Sequence, residues 1–306
     1  MTDVANHPST ELHPDALLAL DKAHLWHPYT EMGRYIHSAT PLVVVAAKGA
    51  RLFDPSGRSY LDGNASWWTS LLGHGHPRLV SALTRQAQTL AHVSLAGIVH
   101  ESAVQLASEL VAIAPQGLDR VFFSDDGSTA LEVAVKMAVQ YFHQNGEPQR
   151  RLFLALDGGF HGETLACTSL GGIREFRGPF GRIVMETMHV ASPTVDLDAA
   201  LADLEQTLRE HGSQTAALVV EPIVLGCAGM RVYPPQYLRE ARKLTRQAGV
   251  LLIVDEVFTG YGRTGPFWAC ELANVTPDML CTAKGFSGGM LPMAATLVTE
   301  AIFQGF

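Results

Sequence analysis

Two residues 29 positions apart, Asp255 and Lys284, carry the most legible chemistry in this chain. Five aliphatic residues, Val250 to Val254, run directly into Asp255 and Glu256. Such a run reads as a strand buried on both faces, which delivers a carboxylate to its C-terminal end. That edge is where open α/β sheets bind ligands. Lys284 follows a second short apolar run, Met279 to Cys281, and stands in a small-residue loop with Gly285, Ser287, Gly288 and Gly289. A strand-end acid and a loop lysine can meet over one cofactor.

The chemistry that needs this pair is that of pyridoxal phosphate. A lysine amine condenses with the aldehyde as a Schiff base, and an aspartate opposite the pyridine nitrogen keeps it protonated, so the ring takes up electrons from the substrate carbon. In the plainer alternative Asp255 caps a turn and Lys284 is a solvated surface residue, since lysine is rarely buried.

Further groups fall at the same predicted edge. Ser124 to Ala130 joins a strand to a helix, and Gly127 and Ser128 would present backbone amides and the positive helix end to a phosphate. The same residues supply an ordinary N-cap equally well. Phe160, among Gly158, Gly159 and Gly162, offers a flat apolar face on which a cofactor ring would stack; core packing is the alternative. Arg263 would hold an anionic substrate end, because a guanidinium binds a carboxylate bidentately. His74, His76 and His161 lack ligand spacing on any predicted helix and are not read as a metal site. Gly260 to Gly265 spells GxGxxG, but Asp255 and Glu256 separate it from the strand and Pro266 follows, so it is not read as a dinucleotide fingerprint.

Alternating elements must position these groups. Strands are expected at Arg120 to Phe123, Leu152 to Leu156, Ala216 to Val220, Val250 to Val254 and, as a possible antiparallel member, Ala294 to Thr299. Helices are expected at Ser128 to Phe142, Leu197 to His211 and Pro235 to Ala248. The pattern implies an α/β fold with a mostly parallel sheet covered by helices on both faces. Ahead of it, Asp15 to Leu25 reads as a helix, and Val43 to Ala46, Arg51 to Phe53 and Ser59 to Leu61 as a small β-meander. Asn64 to Trp68 reads as a loop bearing adjacent tryptophans, and the polar residues before Pro14 as frayed.

The chain has 306 residues, 47% of them hydrophobic, and a net charge of −8. An acidic chain without a basic run argues against a nucleic-acid partner. Its four cysteines, Cys167, Cys227, Cys270 and Cys281, show no CxxC spacing and read as reduced thiols of a cytoplasmic protein. No signal pattern and no apolar stretch of about 18 residues appears, so no membrane association is expected.

Taken together, Asp126-Gly127-Ser128, Phe160-His161-Gly162, Glu221-Pro222, Asp255-Glu256 with the Gly260 to Gly265 run, and Lys284-Gly285 resemble the class III aminotransferases of pyridoxal phosphate fold type I. Within that family, His24 to Thr30 (HLWHPYT) and Asp62 to Trp68 (DGNASWW) look like the branch that moves an amino group from S-adenosylmethionine to 8-amino-7-oxononanoate in biotin biosynthesis. The resemblance runs from His24 to Thr299 and implies pyridoxal 5'-phosphate as cofactor, these two small-molecule substrates, and a homodimer. It makes Lys284 the Schiff-base lysine and proton shuttle and Asp255 the pyridine-nitrogen partner. It gives the phosphate to Gly127 and Ser128, and the substrate side to Tyr29, Trp67, Trp68, Phe160 and Arg263.

The chain departs from the family pattern where Phe160 replaces a tyrosine, losing a hydroxyl expected to contact substrate and bearing on the choice of amino donor. Members of the family are also longer. The resemblance therefore implies residues 1–65 as the N-terminal segment of a small domain and residues 66–306 as a large cofactor-binding domain, with the C-terminal small domain absent. The expectation that follows is weak cofactor binding and negligible turnover by the 306-residue chain alone.

Overall fold

The structure is a computed structural model describing residues 13–306 except residues 182 and 184; the segment expected to be frayed lies almost wholly outside the described residues. Two compact units divide the chain, Met1–Ala91 and His92–Phe306. The break falls later than the expected boundary at residue 65. A bridge between Gly49 and His74, closed by backbone hydrogen bonds of 2.9 and 2.8 Å, ties the segment after the meander back to it, and His74 also reaches Asp62 at 2.8 Å.

In the first unit, Pro14–His24 is the expected helix, opened by Pro14 and closed by Lys22 and His24, which suit its negative end. The meander is antiparallel, β1 (Ala46–Lys48), β2 (Arg51–Phe53) and β3 (Ser59–Leu61) in that order. Its first strand starts at Ala46 rather than Val43, because the pair Ala46 with Phe53 is the last that β2 can offer before the Asp54 turn. That turn closes on one buried carboxylate, as Asp54 accepts from Ser56, Arg58 and Tyr60. Helix Pro77–Thr89 ends the unit.

The second unit contains β4 (Leu118–Ser124), β5 (Leu152–Leu156), β6 (Thr187–Val190), β7 (Thr215–Val220), the small hairpin β8 (Val224–Leu225) and β9 (Arg231–Val232), β10 (Leu251–Asp255), β11 (Met279–Thr282) and β12 (Ala294–Thr299). Its main sheet has the order β4-β12-β11-β10-β7-β5-β6. Neighbours from β11 through β6 run parallel, whereas β12 is antiparallel to both β11 and β4. The edge strand β6 was not anticipated.

Every residue of β5, β7, β10 and β11 is buried, which explains why these strands read as unbroken apolar runs. Alternate side chains serve opposite faces. Leu154, Leu218, Leu252 and Leu280 pack with Leu204, Leu208, Tyr237 and Leu238 of helices Leu197–His211 and Pro235–Gln247. Phe153, Val219, Ile253 and Met279 pack with Ala130, Leu131, Ala134 and Ala138 of helix Gly127–Gln144. Burying each large aliphatic side chain contributes roughly 1.5–3 kcal/mol. The covered faces leave the strand ends as the place where polar groups can gather.

Candidate active site

β10 ends on Asp255, which is 4% exposed. Its Oδ1 accepts from the Val257 amide at 3.0 Å, and its Oδ2 lies 2.8 Å from His161 Nδ1. Since a carboxylate only accepts, His161 Nδ1 carries the hydrogen. His161 comes from the glycine-rich loop after β5, and its Nε2 is buried without a hydrogen-bond partner. Burial opposes the imidazolium, but the Asp255 bond and the charges of Asp255 and Glu221 outweigh it, so His161 titrates above its ordinary range.

Glu221 follows β7 directly and ties two loops together. Its carboxylate accepts from the Phe160 amide and the Gly226 amide, both at 2.9 Å. Burial lifts its carboxyl to about 7. Phe160, held by this bond, is half-buried with its ring edge-on to Phe176 at 5.8 Å between centroids.

Helix Gly127–Gln144 points its N-terminus at the same loop. Asp126 accepts from the Thr129 amide at 2.8 Å in a capping box, while the amides of Gly127 and Ser128 precede the first intrahelical bonds. The structure thus shows the N-cap. Glycine is required for the close approach: a Cβ on Gly127 would sit 2.7 Å from Val257 Cγ1. At Gly162, φ is +122° and a Cβ would lie 2.0 Å from Ser128 Oγ. Ser128 Oγ in turn accepts from the Glu163 amide at 3.3 Å.

Lys284 follows β11 with φ of +46°, a left-handed backbone that a side chain disfavours. Burial lowers its pKa below the usual lysine value; Asp255, Cys227 and Glu221 pull the other way, and Arg263 adds to the lowering. Asp255 and Lys284 thus interact electrostatically. Arg263 donates through Nε to the Phe258 carbonyl at 2.9 Å and is itself depressed by burial. The Gly260 to Gly265 run opens no helix; the next regular element is a 3-10 turn at Ala269–Ala273.

Tyr29, Trp67 and Trp68 belong to the first unit, where the Tyr29 and Trp67 rings are 5.5 Å apart and both are more than half exposed. The tryptophans do not lie in a plain loop. Ala65, Ser66, Trp67 and Trp68 have φ of 51°, 47°, 63° and 69°, a left-handed turn that costs roughly 1–2 kcal/mol per residue. Asp62 stabilises it by accepting from the Ser66 amide and hydroxyl, and Asn64 by accepting from the Trp67 amide.

Sequence reasoning missed two groups. His161 was weighed only as a metal ligand, and its partnership with Asp255 joins residues 94 positions apart. Glu256 passed as a neighbour of Asp255, yet it is fully buried, takes the Cys270 amide at 2.9 Å and the Thr259 hydroxyl, and is lifted by burial to about 7. An acid ending an unbroken apolar run was the available signal for Glu256.

Residues 34–306 match the family model described as Aminotransferase class-III. The chain is 44% identical over 95% of its length to an adenosylmethionine-8-amino-7-oxononanoate aminotransferase of Nitratidesulfovibrio vulgaris, of which it spans 56%. A protein of the same name from Synechococcus elongatus is 44% identical over 92% of this chain and 68% of its own. The crystal structure of such an enzyme from Methanocaldococcus jannaschii superposes with a TM-score of 0.92 at 35% identity, covering 95% of this chain and 67% of that one. The chain thus spans little more than half of the first of these relatives and about two thirds of the others. A family match running from residue 34, ahead of the meander, through Lys284 to the last residue agrees with the acid, lysine and helix terminus of the second unit, and the chain belongs to the class-III aminotransferase family.

Proposed function

We propose that this chain forms the cofactor-binding part of an enzyme that performs pyridoxal-phosphate-dependent amino transfer from S-adenosylmethionine to 8-amino-7-oxononanoate, giving 7,8-diaminononanoate for biotin biosynthesis. The observation that carries the reading is a buried Asp255–His161 couple within electrostatic reach of a desolvated Lys284. The residues fit the cofactor: a buried carboxylate suits a protonated ring nitrogen, and open helix amides beside Ser128 suit a phosphate dianion. Both close approaches at Gly127 and Gly162 keep that cradle free of side chains. When bound, pyridoxal phosphate supplies an aldehyde that bonds amines reversibly and a ring that takes up negative charge from the substrate carbon.

The chain's residues supply the rest. Asp255 holds a fixed negative charge in a site of low dielectric, and the His161 Nδ1–H keeps that carboxylate oriented. To Lys284 Nζ, whose pKa burial lowers, we assign the bond to the aldehyde carbon and the proton transfer. Glu221 fixes the backbone of Phe160, so that its ring can cover one face of a planar ligand. To Arg263 we assign the substrate carboxylate, and to Tyr29, Trp67 and Trp68 the aliphatic chain of the acceptor. Homodimeric assembly and a cytoplasmic setting belong to the same reading, the first measurable by light scattering.

The test is formation of diaminononanoate with S-adenosylmethionine as donor, expected from a version extended to the length of its relatives and not from the 306-residue chain alone. Phe160 favours a second reading, an ω-aminotransferase using a simple amino acid donor, because its ring lacks a hydroxyl for the larger donor. A donor screen separates the two: activity with alanine or glutamate and none with S-adenosylmethionine would select the second.

A further inference from the structure

Both flanks of Lys284 are held by one side chain that neither motif comparison nor the chemistry above assigns. The Thr282 hydroxyl, at the end of β11, donates to Tyr261 Oη at 3.0 Å. The Phe286 ring lies parallel to that of Tyr261, with 10° between planes and 6.3 Å between centroids. Tyr261 therefore touches the residue two before Lys284 and the residue two after it. Behind it the ring packs against Phe267 at 5.3 Å and Trp268 at 5.1 Å. Trp268 is fully buried and anchored through Nε1 to the Ile113 carbonyl at 2.8 Å. Glu256 closes the base of the loop by accepting from Thr259 and Cys270.

The backbone gives this clamp a purpose. Tyr261 and Lys284 both have left-handed φ, 62° and 46°, without being glycine. Such conformations persist only where the surroundings over-determine them. We propose that Tyr261 is a positioning residue that holds the Lys284 backbone in its left-handed conformation through Thr282 and Phe286. Because Tyr261 sits in the same turn as Arg263, the clamp couples the loop assigned to the substrate carboxylate to the direction of Lys284 Nζ. The inference rests on the reading of Lys284 as the cofactor lysine.

Tyr261→Phe and Thr282→Val each delete the same bond while keeping shape, so the fold is retained. Hydrogen exchange of the amides of residues 283–288 is expected to accelerate about three- to tenfold in either variant, and no further in the double variant. Exchange in β7 should not change. In protein loaded with pyridoxal phosphate, the pH midpoint of the cofactor absorbance should move by about half a pH unit, equally in all variants. A purely structural tyrosine would lower thermal stability and leave that midpoint alone. Unchanged exchange at residues 283–288, additive effects in the double variant, or an unmoved midpoint would each overturn the clamp. Absence of a pyridoxyl label on Lys284 in the unsubstituted protein would instead overturn the reading beneath it, and exchange measured without cofactor still decides the clamp.

Discussion

His161 Nδ1 lies 2.8 Å from Asp255 Oδ2, with side-chain exposures of 0% and 5%. The bond places a titrating imidazole against a carboxylate at the end of the central strand, with Glu221 as a second negative neighbour. A histidine whose folded pKa is raised contributes stability that is complete below its unfolded value, about 6.5, and is lost as pH rises through the folded value. Glu221, lifted to about 7, acts in the same direction, because its buried carboxyl favours the protonated state. Urea midpoints should therefore fall as pH rises, from about 4.5 through about 7 on account of Glu221 and from about 6.5 upward on account of His161. His161→Asn should flatten part of that slope and cost about 3 kcal/mol near neutral pH, since removing one partner leaves a buried charge uncompensated. An unaltered slope in this variant would contradict the pairing.

Asp255→Asn separates charge from shape. The amide can still accept from Val257, but the charge that stabilises the His161 imidazolium is lost, so some stability should go at acidic pH while turnover falls far more. His161 loses its main source of stabilisation as imidazolium, and burial then lowers its pKa, which its ring C–H shifts in NMR would report. In a version extended to the length of its relatives, turnover should drop by about two orders of magnitude or more, as expected when a preorganised charge is removed from a reacting centre. Turnover within about twofold of wild type would refute the role of Asp255.

Glu256 offers a cleaner pH test because no charged partner is bonded to it. Raising a carboxyl from 4.5 to about 7 by burial corresponds to on the order of 3 kcal/mol lost as pH rises through that interval. Glu256→Gln removes the ionisation and keeps a group able to bond Thr259 and Cys270. It should be more stable than wild type near pH 8 and no more stable near pH 5, judged by urea midpoints at the two values.

Gly162→Ala probes the cradle at the helix N-terminus. The new Cβ would meet Ser128 at Cβ (2.9 Å) as well as at Oγ, so rotating the serine hydroxyl away does not relieve it. The variant should lose roughly 1–3 kcal/mol of stability from clash and left-handed strain. Its affinity for pyridoxal phosphate, followed by fluorescence titration, should fall about tenfold or more.

The parts of the fold that sequence made legible are those set by burial on both faces. β5, β7, β10 and β11 announced themselves as apolar runs, and the acid closing Val250 to Val254 marked the ligand edge. β6 did not, because Thr187 and His189 break the apolar signal of an edge strand. Left-handed backbone at Ala65 to Trp68, Tyr261 and Lys284 was also illegible, since no glycine marks any of these positions. The His161–Asp255 pair depends on a loop after β5 meeting the end of β10, a consequence of strand order rather than of local pattern. Lys284 stands out in the sequence because lysine among glycines and serine has no packing reason to follow a buried strand.

The assignment of Lys284 as the cofactor lysine is decided by trapping. The protein is incubated with excess pyridoxal phosphate, reduced with borohydride, digested, and its peptides mapped by mass spectrometry. Burial pushes the Lys284 amine below the usual lysine range, whereas Lys243 is paired with Glu240 at 2.8 Å in an exposed helix position. The pyridoxyl group should appear on Lys284 and disappear in Lys284→Ala. Label on Lys136 or Lys243 instead, or no label at all, would contradict the assignment.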